Sequence, residues 1–201
     1  MNVKQIETGA APENCYLIWE KQDLLIVDPG ADADKIITAI TKTGATPLAI
    51  LLTHTHYDHI GALDDIRDHY QVPVYVHALE NSWLQDPLLN VSGERNITAR
   101  LADHEFEIKP YTFGELSFRV VETPGHSIGS VSFIFDDFVV SGDALFKGSI
   151  GRTDLYSGNL EQLLHSIQTE LFTLPDHFTV YSGHGEQTTI QQEKATNPFF
   201  N

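Results

Sequence analysis

Cysteine is nearly absent: Cys15 stands alone among 201 residues, so no disulfide can form within the chain. A domain of this size buries enough apolar surface to fold without such staples, and the lack fits a reducing compartment. Positive charge is scarce as well. Lys and Arg number 12 against 28 Asp and Glu, a net charge of -16. A surface this acidic repels phosphate backbones and anionic lipids, which argues against nucleic acid or a membrane as the partner. No apolar run approaches the ~20 residues that span a bilayer. The opening stretch MNVKQIETGAAPENCYLIWE holds no apolar segment followed by a small-residue cleavage site, so no signal peptide is expected. These absences predict a cytoplasmic protein of one domain, residues 1–201, without repeats, low-complexity tracts or long linkers.

What is present alternates between strand-like and helix-like segments. Asn14 to Trp19 and Leu24 to Val27 read as a hairpin turning at Glu20 to Asp23. Ala33 to Lys42 reads as a helix with Asp32 as its N-cap, an apolar face of Ile36, Ile37 and Ile40, and Gly44 as its stop. Leu48 to Leu52 is a buried strand, Ile60, Leu63 and Ile66 mark a helix, and Val74 to His77 is a short strand. Ala78 to Ile108 is less regular and reads as a short helix and a loop. Phe113 to Glu122 and Ser130 to Val140 read as antiparallel strands, the last two joined at Asp136-Asp137. Asn159 to Leu171 is a helix with Asn159 and Gln162 as a capping pair. Phe178 to Tyr181 is a strand, and Thr188 to Ala195 is a closing helix whose Thr188 and Gln191 have capping-box spacing. Strands outnumber helices, and helices recur after pairs of strands, which predicts sheets with helices packed outside, a layered α/β protein.

Functional groups in layered α/β proteins gather where strands end. After Leu48 to Leu52 comes His54-Thr55-His56-Tyr57-Asp58-His59, three histidines and a carboxylate within six residues. Asp28-Pro29-Gly30 follows the strand ending at Val27, and Gly125-His126 follows the one ending near Glu122. Gly142-Asp143 follows Phe138 to Val140, and Gly183-His184 follows Phe178 to Tyr181. Imidazole and carboxylate together suit zinc, iron or manganese. Taken singly, His126 or His184 reads as a loop residue, Asp143 as a cap and Asp28 as a turn former. The six-residue cluster resists that explanation, because neighbouring histidines repel when protonated and bring folding little benefit. Five histidines and two or three aspartates exceed the needs of one ion, whereas two ions sharing a carboxylate and a hydroxide would use seven ligands well. His69, His77, His104, His165 and His177 lack such company and are assigned to surface or packing, and Cys15 to the core.

The ordered series Asp28-Pro-Gly, His54-x-His56-x-Asp58-His59, His126, Gly142-Asp143 and Gly183-His184 resembles the metallo-β-lactamase-fold hydrolases over essentially the whole chain. The resemblance implies an αββα sandwich of two mixed sheets flanked by helices, with a dinuclear site. It implies that His54, His56 and His126 bind one divalent ion, that Asp58, His59 and His184 bind a second, and that Asp143 bridges them. Zinc is the first expectation, with iron or manganese as other ions the donors suit. Asp28 would stand behind the ligands and hold the histidine loop. The aspartate in Ser-Gly-Asp143-Ala-Leu-Phe, the segment Gly151-Arg152-Thr153-Asp154 and the tail Gly183-His184-Gly185-Glu186-Gln187-Thr188 resemble the single-domain, glyoxalase II-like (hydroxyacylglutathione hydrolase-like) group. Asp154 and Glu186 depart from that group, which has aromatics there.

The resemblance implies a thioester hydrolase in which a metal-bridging hydroxide is the nucleophile. Asp58 and Asp143 would be catalytic through the ions and the hydroxide they hold, and Arg152 would bind a substrate carboxylate. For Arg152 a salt bridge with Asp154 is the competing assignment. The small-molecule substrate would be a thioester. Two other classes compete: a persulfide dioxygenase with one iron on His54, His126 and Asp143, and a domain kept for binding alone. Hydrolysis of another ester or a lactone on the same residues is a variant of the first reading.

Overall fold

The computed structural model describes residues 1–200. Two compact units divide the chain. The first is Met1–Phe106 with Thr112–Ser117, and the second is Glu107–Tyr111 with Phe118 onward.

The first unit is built on a six-stranded mixed sheet. Strands β1 (Asn2–Thr8), β2 (Glu13–Glu20) and β3 (Asp23–Val27) run antiparallel, while β4 (Thr46–Leu51), β5 (Val74–Val76) and β6 (His104–Glu105) continue parallel to β3. Lys21 at φ 52° makes the predicted β2–β3 turn. Helix α1 (Ala33–Thr43) connects β3 to β4, and its Ile36, Ala39 and Ile40 pack with Leu24, Ile26 and Ile50. Gly44 stops it at φ 71°, as predicted. Asp32 does not cap it through its side chain, because the Asp32 carboxylate accepts from the Gly9 N–H at 3.0 Å instead. Helix signals after the histidines resolve into two pieces, α2 (Tyr57–Ile60) and α3 (Leu63–Tyr70). The break falls at Gly61, where a Cβ would collide with the Gly30 carbonyl, so the chain approaches another backbone there instead of continuing as one helix. The irregular middle holds a 3-10 segment, Ala78–Gln85, started by His77, whose Nδ1 accepts from Leu79 N–H.

Most of the other six-stranded mixed sheet belongs to the second unit; its edge strand β7 (Pro110–Phe113) ends at the turn leading to β8 (Leu116–Glu122), and residues 112–117 of that turn group with the first unit. Next come β9 (Val131–Ile134) and β10 (Phe138–Gly142), all antiparallel from β8 on and joined through the predicted Asp136-Asp137 turn. A small hairpin, β11 (Leu145–Phe146) with β12 (Ser149–Ile150), follows. Strand β13 (Thr179–Ser182) lies parallel to β10, with β14 (Thr188–Thr189) on its far side. Helix α4 (Leu160–Ser166) runs on through a π turn, Ile167–Leu171, so the predicted 159–171 span is helical but changes its winding. Its Leu163, Ile167 and Leu171 pack with Val139, Val180 and Ile190. The closing helix α5 (Ile190–Thr196) begins one residue later than its capping-box spacing predicts. Thr189, not Thr188, accepts from Gln192 N–H, and the Thr188 hydroxyl donates to buried Glu193. Among the described residues no helix is long and apolar enough to cross a membrane.

Strand β1 went unpredicted because only Ile6 and Thr8 of it are buried, so its pattern reads as polar chain. By contrast β2 is buried from Glu13 to Ile18. Cys15 lies within that stretch, fully buried, and burial pushes its thiol well above the usual range, with Glu13 and Asp28 adding to the effect. A thiol reagent at about pH 8 is therefore expected to leave Cys15 unmodified in the native protein and to label it after denaturation, as mass spectrometry will show. The Asn159 side chain accepts from Gln162 N–H at the start of α4. Asn159→Ala should cost about 1 kcal/mol of unfolding free energy in urea titrations.

Candidate metal centre

In the first unit β3, β4 and β5 are parallel, so their carboxyl ends lie along one edge of the sheet. Asp28 follows β3 with φ 49°, and its N–H donates to Leu51 O at 3.1 Å. The Asp28 side chain is buried and turned toward the loop that follows β4. Its Oδ1 accepts from Thr53 N–H at 2.8 Å, and its Oδ2 accepts from the Thr53 hydroxyl at 2.6 Å and lies 3.0 Å from His59 Nδ1. His54 Nδ1 lies 3.1 Å from the same Thr53 hydroxyl.

These contacts decide where the ring protons sit. An ionised carboxylate only accepts, so His59 Nδ1 carries the proton and donates to Asp28. The Thr53 hydroxyl spends its proton on Asp28, so toward His54 it accepts, and His54 Nδ1 carries a proton as well. Both rings are thereby set with the Nε2 lone pair as the ligand atom. The rings are packed closely, with centroids 4.7 Å apart for His54 and His56 and 4.1 Å for His54 and His59. The Nε2 atoms of all three are buried and make no hydrogen bond. Such imidazoles are held together most easily as neutral metal ligands, because protonated rings would repel at this range.

Two further buried carboxylates brace the same loop. Glu80 Oε2 accepts from Thr55 N–H at 2.8 Å and from the Thr55 hydroxyl at 3.0 Å, between the first two histidines. Glu13 Oε2 accepts from the Thr8 hydroxyl at 2.6 Å. Burial pushes the Glu13 carboxyl well above the usual range; His59 offsets this while Asp28 and Asp58 add to it. Gly30 lies against both Glu13 and the Asp58 carbonyl, closer than any Cβ could tolerate, so the Asp28-Pro29-Gly30 turn needs a residue without a side chain at its end. Asp58 itself is half-buried in the first turn of α2.

The second unit gathers the other predicted ligands at its own strand ends. Asp143 and His184 follow the adjacent parallel strands β10 and β13, whose ends are tied by Gly183 N–H donating to Gly142 O at 2.8 Å. Asp143 Oδ2 stands 3.4 Å from His126 Nε2 and 3.6 Å from His184 Nε2. His126 follows β8, and its Nδ1 lies 2.7 Å from the Arg152 carbonyl oxygen. A carbonyl only accepts, so His126 also carries its proton on Nδ1 and presents Nε2 beside Asp143. One carboxylate flanked by two imidazoles in this way suits a bridging ligand.

Arg152 thus supports the centre through its backbone. Its guanidinium is engaged elsewhere, donating to both Asp154 oxygens at 2.7 and 2.9 Å. That ion pair holds the Asp154 carboxyl down at about 2, so the two charges stay paired at any ordinary pH. Of the two assignments drawn from sequence, the salt bridge is the one present. Glu186, the other departure, pairs with Lys147.

Sequence reasoning missed Glu13, Glu80 and Asn90, all fully buried. Glu80 had a signal: it follows the end of β5 by one 3-10 turn, where the strand-end rule points. Glu13 had none, because it sits inside a strand where a buried acid is costly. The donor set, clustered imidazoles of which His54, His59 and His126 present Nε2, together with buried carboxylates, fits divalent transition metals.

Residues 8–184 match the family model described as the metallo-beta-lactamase superfamily. The "probable metallo-hydrolase YqgX" of Bacillus subtilis is 46% identical, with 100% of this chain and 98% of that protein aligned. The hydroxyacylglutathione hydrolase GloC of Haemophilus influenzae is 37% identical, over 100% of this chain and 99% of its own. Among solved structures, the BLEG-1 B3 metallo-beta-lactamase is similar over 100% of both chains at 47% identity and a TM-score of 0.97. A protein solved in a di-iron-bound form, TTHA1623, is similar over 98% of this chain and 99% of its own at 36% identity and a TM-score of 0.88.

Asp28→Asn keeps the shape of the side chain but can turn an amide N–H toward His59 and Thr53, reversing the tautomer logic. Metal affinity, measured by competition with a chelator, should fall on the order of 10- to 100-fold.

Proposed function

The chain belongs to the metallo-beta-lactamase superfamily and has its fold, and from that premise we propose that it is a dinuclear metal-dependent hydrolase of small thiol esters. The metallo-hydrolase part follows from the family and from the clustered histidines and aspartates. The observation that supports metal binding most directly is the proton placement on His54, His59 and His126, which leaves three Nε2 lone pairs as ligand atoms without any rearrangement. By the family resemblance His54, His56 and His126 would hold one ion, Asp58, His59 and His184 would hold another, and Asp143 would serve both. Ions so held would lower the pKa of coordinated water to about 7 and would polarise a carbonyl oxygen.

The chain's own residues do the rest. Asp28 orients His59 directly and His54 through the Thr53 hydroxyl, so that each presents its Nε2. Glu80 fixes the Thr55 backbone between His54 and His56, so the two rings keep their relative placement. The Arg152 carbonyl sets His126. A thiolate is a good leaving group, so the site needs no separate proton donor for it. The relative named hydroxyacylglutathione hydrolase supports a thioester as the acyl donor. The similarity to a structure named as a B3 metallo-beta-lactamase makes a β-lactam the competing acyl substrate.

The test is metal analysis of the purified protein followed by assays with S-lactoylglutathione, simple acyl thioesters and a chromogenic cephalosporin. Two metal ions per chain and thioester turnover are expected, with loss of activity on chelation and recovery on adding back zinc, iron or manganese. Asp143→Asn should lower kcat by at least about 100-fold, roughly 2.7 kcal/mol of transition-state stabilisation. One iron per chain with oxygen uptake on glutathione persulfide would refute the hydrolase reading, and turnover of the cephalosporin alone would refute the thioester part.

A further inference from the structure

In the metal motif His54-x-His56-x-Asp58-His59 the residue between His56 and Asp58 binds nothing by resemblance. Here it is Tyr57, and the structure gives it a partner. The Arg95 guanidinium lies over the Tyr57 ring, 4.8 Å from its centroid. Three other arginines are neutralised: Arg67 by Asp64 and Asp103, Arg100 by Asp64 and Asp68, Arg152 by Asp154. Among the described residues no carboxylate pairs with Arg95. In a chain of net charge -16 an arginine left without an acid is uncommon, and what sets Arg95 apart from Arg119, which also has none, is its seat on the Tyr57 ring beside a pocket.

The loop that carries Arg95 is built to hold it there. Asn90 O accepts from Tyr57 N–H at 2.9 Å, and Asn90 Nδ2 donates to Ile97 O at 2.8 Å, so the two ends of the loop are clasped to each other and to the first residue of α2. Ser92 Oγ donates to Ile97 O at 3.1 Å and accepts from Ile97 N–H at 3.2 Å. Val91 is held at φ 64° and Asn96 at φ 50°, the former a backbone conformation a β-branched residue rarely adopts. A strained, doubly clasped loop is a costly way to place an unpaired cation unless the cation has work to do.

Arg95 and Tyr57 form one wall of a pocket of about 330 Å³. Asp58, a predicted metal ligand, lines it too. The small side chains of Gly9 to Ala11 and the Gly30 turn leave the remaining room. That volume lies at the low end for ligand sites, enough for a short acyl or thiol group and too little for a large carrier such as coenzyme A.

We propose that this pocket receives the substrate and that Arg95 binds a carboxylate borne by its acyl or thiol part, the role the sequence had suggested for Arg152. A guanidinium stacked on a ring keeps its N–H donors for a planar, two-pronged partner, which a carboxylate is. The kinetic side of this assignment rests on the thioester reading above; the binding side does not.

The experiment uses the metal-loaded full chain with matched probes. S-acetylmercaptoacetate and its neutral amide are the thioester pair, and S-ethylmercaptoacetate and its amide are the non-hydrolysable thioether pair. The wild type should favour the carboxylate in both pairs. In Arg95→Ala the ratio of kcat/KM for charged over neutral thioester should fall about tenfold, with partial rescue in Arg95→Lys. Calorimetric affinity for S-ethylmercaptoacetate should fall in parallel, and the preference should weaken with added salt. An unchanged ratio in Arg95→Ala, its collapse in Arg152→Ala instead, or no calorimetric preference for the charged thioether in the wild type would each overturn the assignment. Wild-type failure to hydrolyse either thioester would refute the thioester reading, and the calorimetry would then decide the pocket by itself.

Discussion

The Asp28 carboxylate is the contact on which the rest of the first half of the site depends. One buried group receives the Thr53 N–H, the Thr53 hydroxyl and His59 Nδ1, and through the hydroxyl it also fixes His54. Each of those bonds has only one chemically consistent direction, so a single ionised acid sets two ring tautomers at once. The backbone is arranged to make this possible. Asp28 accepts a positive φ that most residues avoid, and Gly30 lets the turn press against the Asp58 carbonyl. The turn after β3 therefore positions both the histidine loop and the first turn of α2. A Cβ at Gly30 would separate the same two segments that the Asp28 bonds draw together.

Around that contact the protein places more acid than an isolated core would tolerate. Glu13 and Glu80 are fully buried beside the same loop, and burial pushes Glu13 well above the usual carboxylate range. Burying ionisable groups is costly unless each is hydrogen-bonded or meets an opposite charge. Glu80 meets that condition with two bonds from Thr55, and Glu13 with one from Thr8. Divalent cations on the neighbouring histidines would change the balance further, since a bound ion is often the largest local charge and reverses the usual preference of nearby acids.

The fold was legible where burial and periodicity agree. The β2–β3 hairpin, α1 with its Gly44 stop, and the Asn159 cap all stand where apolar spacing and turn residues put them. It was illegible where one of those signals was missing. Edge strand β1 buries too few residues to show a pattern, and the two-residue strands of the β11–β12 hairpin are too short to have one. Asp32 and Thr188 have the right chemistry for caps, yet each is drawn to a tertiary partner, Gly9 and Glu193. Sequence spacing cannot register such competition. The site followed the same rule. Strand ends mark Asp28, the histidines and Asp143 as candidates, whereas Glu13 and Glu80 become meaningful only once strands and turns bring them to the loop.

The arginines show why reaction and specificity differ in legibility. Metal ligands must have particular side chains at particular spacings, because coordination tolerates few substitutes. A residue that recognises a substrate charge needs only a guanidinium with no nearer acid, and any loop can supply one. Arg152 has the motif, but Asp154, two residues along, occupies both prongs of its fork. Arg95 has no motif, but the Asn90 and Ser92 clasps hold it on Tyr57 at the rim of a pocket that includes Asp58. An arginine's nearest carboxylate is a better guide to its role than the motif in which it stands.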